Sequence, residues 1–226
     1  MKKFINIFLI LLLTHIVLTQ LASSDAEGTE KLAVSKEVNS HGNRISIIPL
    51  SGMIDSGIYN SLKRRVEIAK ENGSNLIIFE IDTFGGQLEP TFEISEHISN
   101  IKDIKTIAFI PTKAISAGSL IAISCNEIYM SPQAELGDCE PIVPSSEGGY
   151  KTVGEKIQTV LRTKFRKFAE KNGYPVLLAE AMVTKEIEVY RVVTEENPEG
   201  LYVSGRELKE MNEEKKNKFK SRKLII

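Results

Sequence analysis

Apolar and polar positions alternate along the chain in blocks that read as strands and helices in turn. RISIIPLSGMI, from Arg44, is predicted as a first strand. IYNSLKRRVEIAKENG follows Ser56, and Ile58, Leu62, Val66 and Ala69 recur there at helical spacing until Gly73 ends the pattern. SNLIIFEIDT is almost wholly apolar, as expected of a strand covered on both faces of a parallel sheet. Gly85 and Gly86 come next, then a helix carrying Phe92, Ile94, Ile98 and Ile101. KTIAFIP is a third strand, SAGSLIAISC a helix and EIYMSP a fourth strand. Such alternation with short links predicts an α/β domain built on a right-handed parallel sheet.

The pattern then changes. ELGDCEPIVPSSEGGYKT is rich in Gly, Pro and Ser and reads as a long excursion, the kind of loop that often binds or covers a ligand. A long helix is predicted from Val153 to Lys171, with the stripe Val153, Ile157, Val160, Leu161, Phe165 and Phe168 facing the core. YPVLLAEAMV reads as a short helix and EIEVYRVVT as a half-exposed strand. The charge-dense tail GRELKEMNEEKKNKFKSRKLII reads as a solvated helix face or a frayed end.

The N-terminus follows another logic. Lys2 and Lys3 precede the apolar run FINIFLILLLTHIVL, and Ala22, Ser23 and Ser24 follow it. That is the order of a secretory signal, cleaved or kept as an anchor, and it is expected over residues 1–24. The run of about 15 residues is short of the roughly 20 that span a bilayer. Residues 25–43 are polar and aperiodic and are expected to tether the signal to a domain over 44–226. The remaining chain is then expected to work outside the cytoplasm.

Composition adds mainly exclusions. The 226 residues are 42% hydrophobic and 26% charged, enough for one self-supporting core. A formal net charge of -1 removes any global electrostatic case for nucleic acid. Cys125 and Cys139 are expected to be small buried residues, with one disulfide as the alternative; two thiols without a downstream His do not make the usual zinc site. No metal or cofactor is expected.

Candidate chemistry centres on Ser116, where a strand runs into the small residues of KAISAGSL. At a strand-to-helix corner it is either a nucleophile beside the free N–H groups of a helix start or a small residue that permits close packing. A serine needs a base. Of the three histidines, His15 falls in the signal, His41 in the tether, and His97 in SEHISNI, expected on the polar side of its helix. A lysine base needs its pKa lowered from about 10.4 toward about 7–8, so it belongs at the edge of an apolar surface. Lys156 borders the Val153–Ile157–Val160 stripe and meets that description, as does any lysine that merely snorkels. Gly85 and Gly86 follow the second strand at the sheet edge that also carries Ser116. There they are a plain turn or backbone N–H donors that approach a substrate closely.

IDTFGGQ, KAISAGSLIA, SPQAELGDCEPI and GEKIQTVLRTKFRKFAEKNG, in that order over roughly residues 44–200, resemble the ClpP-class membrane-associated serine proteases of the NfeD type. The resemblance implies a ClpP/crotonase-like fold and a Ser–Lys dyad, with Ser116 as nucleophile and Lys156, forty residues on, as general base. It further implies an oxyanion hole from the N–H groups of Gly86 and Ala117, substrate contact at Gly85 and Gly86, and a lid at 140–152. The expected partners are an apolar segment of a membrane protein, such as a stomatin-like one, and a second copy of the chain. Phe84 stands where that family commonly has Pro. The C-terminal part also looks short against the family, so the sheet is expected to lack an edge element and to leave the LII end exposed. A signal-peptide-peptidase-like protease and a non-catalytic module holding a membrane protein's tail are the competing readings; an acyl-CoA enzyme on this fold fits an export signal poorly.

Overall fold

The computed structural model describes residues 44–225 apart from residue 147; the signal expected at 1–24 and the tether at 25–43 lie outside the described residues. Strand β1 (Ile45–Ile54) leads through helix α1 (Ser56–Glu71) to β2 (Leu76–Gly86), which pairs parallel to β1 from Ile45↔Leu76 to Ile54↔Gly86. Asp55 caps α1 by accepting the Ile58 N–H at 2.9 Å. Helix α2 (Leu88–Ser99) crosses back to β3 (Lys105–Ile110), which pairs with the first half of β2. The chain breaks step at Pro111–Thr112, and β4 (Lys113–Ile115) pairs with β2 only at Thr83↔Ala114. After α3 (Ala117–Ser124), β5 (Glu127–Met130) extends the sheet beside β3, and β6 (Glu135–Gly137) does so beside β4. All six strands are parallel, as alternation predicted.

Two corrections concern burial. In β2 only Ile77, Phe79, Ile81, Thr83 and Gly85 are buried; the alternate positions are half-covered, and Phe84 is exposed. The strand therefore has one sealed face. Every residue of α3 is buried, because it lies between the sheet and a second cluster made by α4 (Glu155–Asn172) and α5 (Val176–Ala181). Its uncharged sequence AGSLIAIS suits that place. Gly118 makes it possible, since a Cβ there would lie 2.7 Å from Thr83 Cγ2.

Helix α4 departs from its predicted stripe. Leu161, Phe165, Phe168 and Ala169 dock into the second cluster, but Ile157 and Val160 are exposed. Its first two turns project beyond the core. The excursion before it forms a hairpin, β7 (Ile142–Pro144) with β8 (Tyr150–Thr152), in the register Ile142↔Thr152.

The tail is ordered. Strands β9 (Val189–Val193) and β10 (Leu201–Ser204) pair antiparallel, α6 (Gly205–Glu210) starts in a Ser204–Glu207 capping box, and α7 (Glu213–Lys216) leads to β11 (Ser221–Leu224). β11 lies antiparallel on the other edge of β9, Leu224 opposite Tyr190, while Phe219 packs on Val192, Val203 and Leu208. The tail read as a solvated helix face or frayed end thus finishes in a paired strand, while Leu224 and Ile225 are exposed as expected of that end.

Candidate active site

The corner between β4 and α3 holds Ser116 in an unusual backbone. Its φ of 52° and ψ of −113° lie where residues with a Cβ are rarely found. Such strain persists only when neighbours over-determine it, and it clusters at functional sites. Here the Ser116 N–H donates to Gly137 O at 2.9 Å and the Ser116 carbonyl accepts from the Ser119 N–H at 3.0 Å. The Ser119 hydroxyl, fully buried, donates to Ala114 O at 2.6 Å and accepts from the Gly137 N–H at 2.8 Å. Ser119 therefore ties the ends of β4 and β6 to α3 around Ser116. Sequence reading had no means of seeing this, because the Gly137 partner is 18 residues away.

The Ser116 hydroxyl itself has no hydrogen-bond partner among the described residues. It lies in a cleft of about 680 Å³ that Gly86, Ile115, Ala117, Leu120, Val153 and Ile157 help to line. Gly85 packs against it: a Cβ there would sit 2.8 Å from Ser116 Cβ. The Gly85 N–H is committed to Thr83 Oγ1 at 2.9 Å, and Thr83 Oγ1 in turn donates to Gly52 O at 2.5 Å. Ala117 opens α3, so its N–H lies ahead of the helix's own hydrogen-bonded turns. Ser116, Ala117, Gly85 and Gly86 are accordingly brought together.

Lys156 is not brought into contact with them. It is exposed on the first turn of α4 and has no hydrogen-bond or ion-pair partner among the described residues. Its neighbours Val153 and Ile157 line the cleft, and Lys156 does not. The lysine that does line the cleft is Lys185, paired with Glu140. That carboxylate raises the Lys185 pKa, while Lys185 first and Thr152 second hold Glu140 below the usual carboxylate range. A lysine kept protonated in this way is a poor base. The Thr152 hydroxyl donates to Glu140 at 2.8 Å, so the pair also fastens the β7–β8 hairpin at its base.

Cys125 and Cys139 are free and buried, as expected of small core residues. Burial pushes the Cys139 thiol up to about 12 and the Cys125 thiol higher still. Cys139 lies beneath the Ser116 corner, its thiol 3.6 Å from Ser116 O. The described residues contain no cluster suited to a metal ion.

His97, expected on the polar side of its helix, is half-buried there. It stands edge-on to Tyr59 with ring centroids 6.4 Å apart and lines a separate groove with Glu93, Glu96 and Lys164, outside the Ser116 cleft. Its buried Nε2 has no partner among the described residues. Desolvation, and then the charge of Lys70, lowers its pKa, against an opposing pull from Glu67. The unfolded chain takes up this proton near the ordinary value of about 6.5 and the folded one only at lower pH. The stabilising difference is present above about 6.5 and is lost as pH falls toward the folded value. The urea midpoint of wild type is expected to drop more between pH 7.5 and 5.5 than that of His97→Gln.

Residues 44–212 match the family described as NfeD1b, N-terminal domain. The chain belongs to this family. Among curated proteins, membrane-bound protease PH1510 of Pyrococcus horikoshii is 29% identical over 150 residues, covering 65% of this chain and 34% of that protein. Membrane protein NfeD1b of Bacillus subtilis is 25% identical over 161 residues, covering 71% and 36%. The chain thus spans about a third of the length of these curated relatives. Among solved structures, a Ser→Ala mutant of the 1510-N membrane-bound stomatin-specific protease matches at TM-score 0.60 and 26% identity, covering 74% of this chain and 76% of that one. A Lys→Ala mutant of the same protease in complex with a substrate peptide matches at TM-score 0.60 and 26% identity, covering 76% and 73%. The fold of this NfeD1b-family domain is therefore ClpP-like, a mainly parallel sheet flanked by helices. No helix among the described residues is long and apolar enough to cross a membrane.

Proposed function

We propose that the domain is a serine endopeptidase that cleaves apolar segments of membrane-associated proteins, with Ser116 as nucleophile and Lys156 as general base. The observation that carries this reading is the strained Ser116 corner, unpartnered at its hydroxyl and open to an apolar cleft. Serine–lysine chemistry needs little else. As Ser116 Oγ bonds to the peptide carbonyl carbon, its proton passes to the Lys156 amine. The N–H groups of Gly86 and Ala117 stabilise the oxyanion. Collapse expels the amine half of the substrate, which takes the proton from Lys156, and water then releases the acyl half by the same route.

Substrate supplies the missing contact. An apolar segment laid across Ile115, Leu120, Val153 and Ile157 excludes water from the cleft beside the turn that carries Lys156. The 140–152 hairpin, with Ile142 56% exposed, closes over that segment as a lid. The solved relatives named for a stomatin-specific protease support a stomatin-like substrate. Extracytoplasmic placement and action as a homodimer belong to the same proposal.

The exposed, unpaired Lys156 favours one alternative, a module that binds a membrane protein's tail without cutting it. The test is incubation of the domain with peptides bearing an apolar segment, alongside Ser116→Ala and Lys156→Ala. Cleavage by wild type only, with each variant down at least about 10³-fold, is expected. Undiminished cleavage by Lys156→Ala ends the dyad assignment; binding by all three proteins without cleavage leaves the module reading.

A further inference from the structure

We propose that Phe84 is a specificity-determining residue, its ring forming a fixed wall that receives one apolar side chain of the substrate beside the scissile bond. This inference rests on the protease reading above. Phe84 is 77% exposed, the most exposed large apolar side chain among the described residues, and it lines the Ser116 cleft. Its position on β2 is two residues before Gly86, and the intervening Gly85 packs on Ser116. A side chain entering the cleft next to the reacting carbonyl therefore meets this ring.

The ring is held in place. Lys113 Nζ lies 4.4 Å from its centroid, and that ammonium is itself fixed by Asp82 at 3.1 Å. Thr112 donates to the same carboxylate at 2.5 Å. The parallel register that pairs Thr83 with Ala114 sets Asp82 beside Lys113 and Phe84 diagonally across from it on the adjacent strand. One face of the ring thus carries a cation. An aromatic ring pinned on one side and left open toward a cleft is preorganised for apolar contact, because little rotamer freedom is lost on binding. Packing alone does not account for it, since Phe84 belongs to none of the buried clusters.

Cleavage of a positional peptide library tests this. Wild type is expected to prefer a large apolar residue at one position next to the cut. Phe84→Ala should lose about tenfold or more in kcat/KM for those peptides, through KM, and lose little for peptides with a small residue there. Lys113→Met, which keeps most of the stem and removes the charge, should fall between. An unchanged preference profile in a folded Phe84→Ala protein overturns the inference while leaving the protease reading intact. Binding of the same peptides to Ser116→Ala, followed by fluorescence anisotropy, separates the two failures. If wild type cuts nothing, the protease reading fails, and weaker selective binding after adding Phe84→Ala still supports the wall. Equal binding, or no binding at all, overturns it.

Discussion

Exchanging Ser116 for glycine is expected to end peptide cleavage and to leave the domain at least as stable as wild type. The two effects separate because the hydroxyl makes no bond that folding needs, while the backbone beneath it is strained. A residue with a Cβ held at φ 52° costs on the order of 1–3 kcal/mol, which glycine does not incur. Glycine in turn loses about 0.5–1 kcal/mol more conformational freedom on folding. The balance is between zero and about 2.5 kcal/mol in favour of the variant, or a rise of up to about 10 °C in Tm for a domain of this size. Thermal unfolding and peptide cleavage are the two measurements. A fall of several degrees means that the corner is not strained in the way its dihedral angles indicate.

Gly86→Ala carries the largest expected loss of stability. A Cβ at Gly86 would sit 2.1 Å from Ile54 O and 2.5 Å from Ile54 N. Both are backbone atoms, so no side chain can swing aside. β1 has to move away from β2, breaking the Gln87 N–H to Ile54 O bond of 2.8 Å beside the proposed oxyanion donor. Overpacking of this kind costs about 3 kcal/mol or more, a large part of the stability of an ordinary domain. Gly154→Ala is the control. Nothing lies within 4 Å of its new Cβ and its φ is −61°, so only the poorer N-capping of alanine acts, and a loss of no more than about 1 kcal/mol is expected. Urea unfolding of both variants decides the matter; equal midpoints would mean that β1 yields at Gly86 without cost.

These expectations rest on features that sequence reading saw unevenly. Strands β1, β2, β3 and β5, the helices between them and the Ser116 corner follow from short-range periodicity and turn residues and were legible, whereas β4 and β6 were not. The stripe from Val153 to Phe168 was legible as one apolar face. Its two ends are covered, Val153 beside the cleft and Leu161, Phe165 and Phe168 in the second cluster, while Ile157 and Val160 between them are exposed. Helical spacing tells which residues share a face, and it is silent about how far the neighbouring elements extend. Cleft-lining Ile157 was hidden by the same ambiguity.

Ser119 shows the second kind of gap. Beside Ser116 it reads as a spare small residue, yet its hydroxyl closes the bonds that hold the corner. The tail shows a third: its charge density suggested solvent, while β11 pairs with β9 across roughly thirty residues of chain.

What the sequence by itself determined is therefore the local grammar: a parallel α/β domain, a serine at a sharp corner, glycines where a backbone must come close, and a lysine beside an apolar run. Tertiary structure alone decided that the Ser116 backbone is strained, that Gly86 touches Ile54, and that Phe84 stands exposed over Lys113 at the cleft. It also assigned Lys185 to Glu140 and left Lys156 without an ion-pair partner among the described residues. The physical reason is range. Periodicity and turn chemistry act over a few residues, whereas strain, ion pairing and exposure depend on which distant segments the folded chain sets against one another.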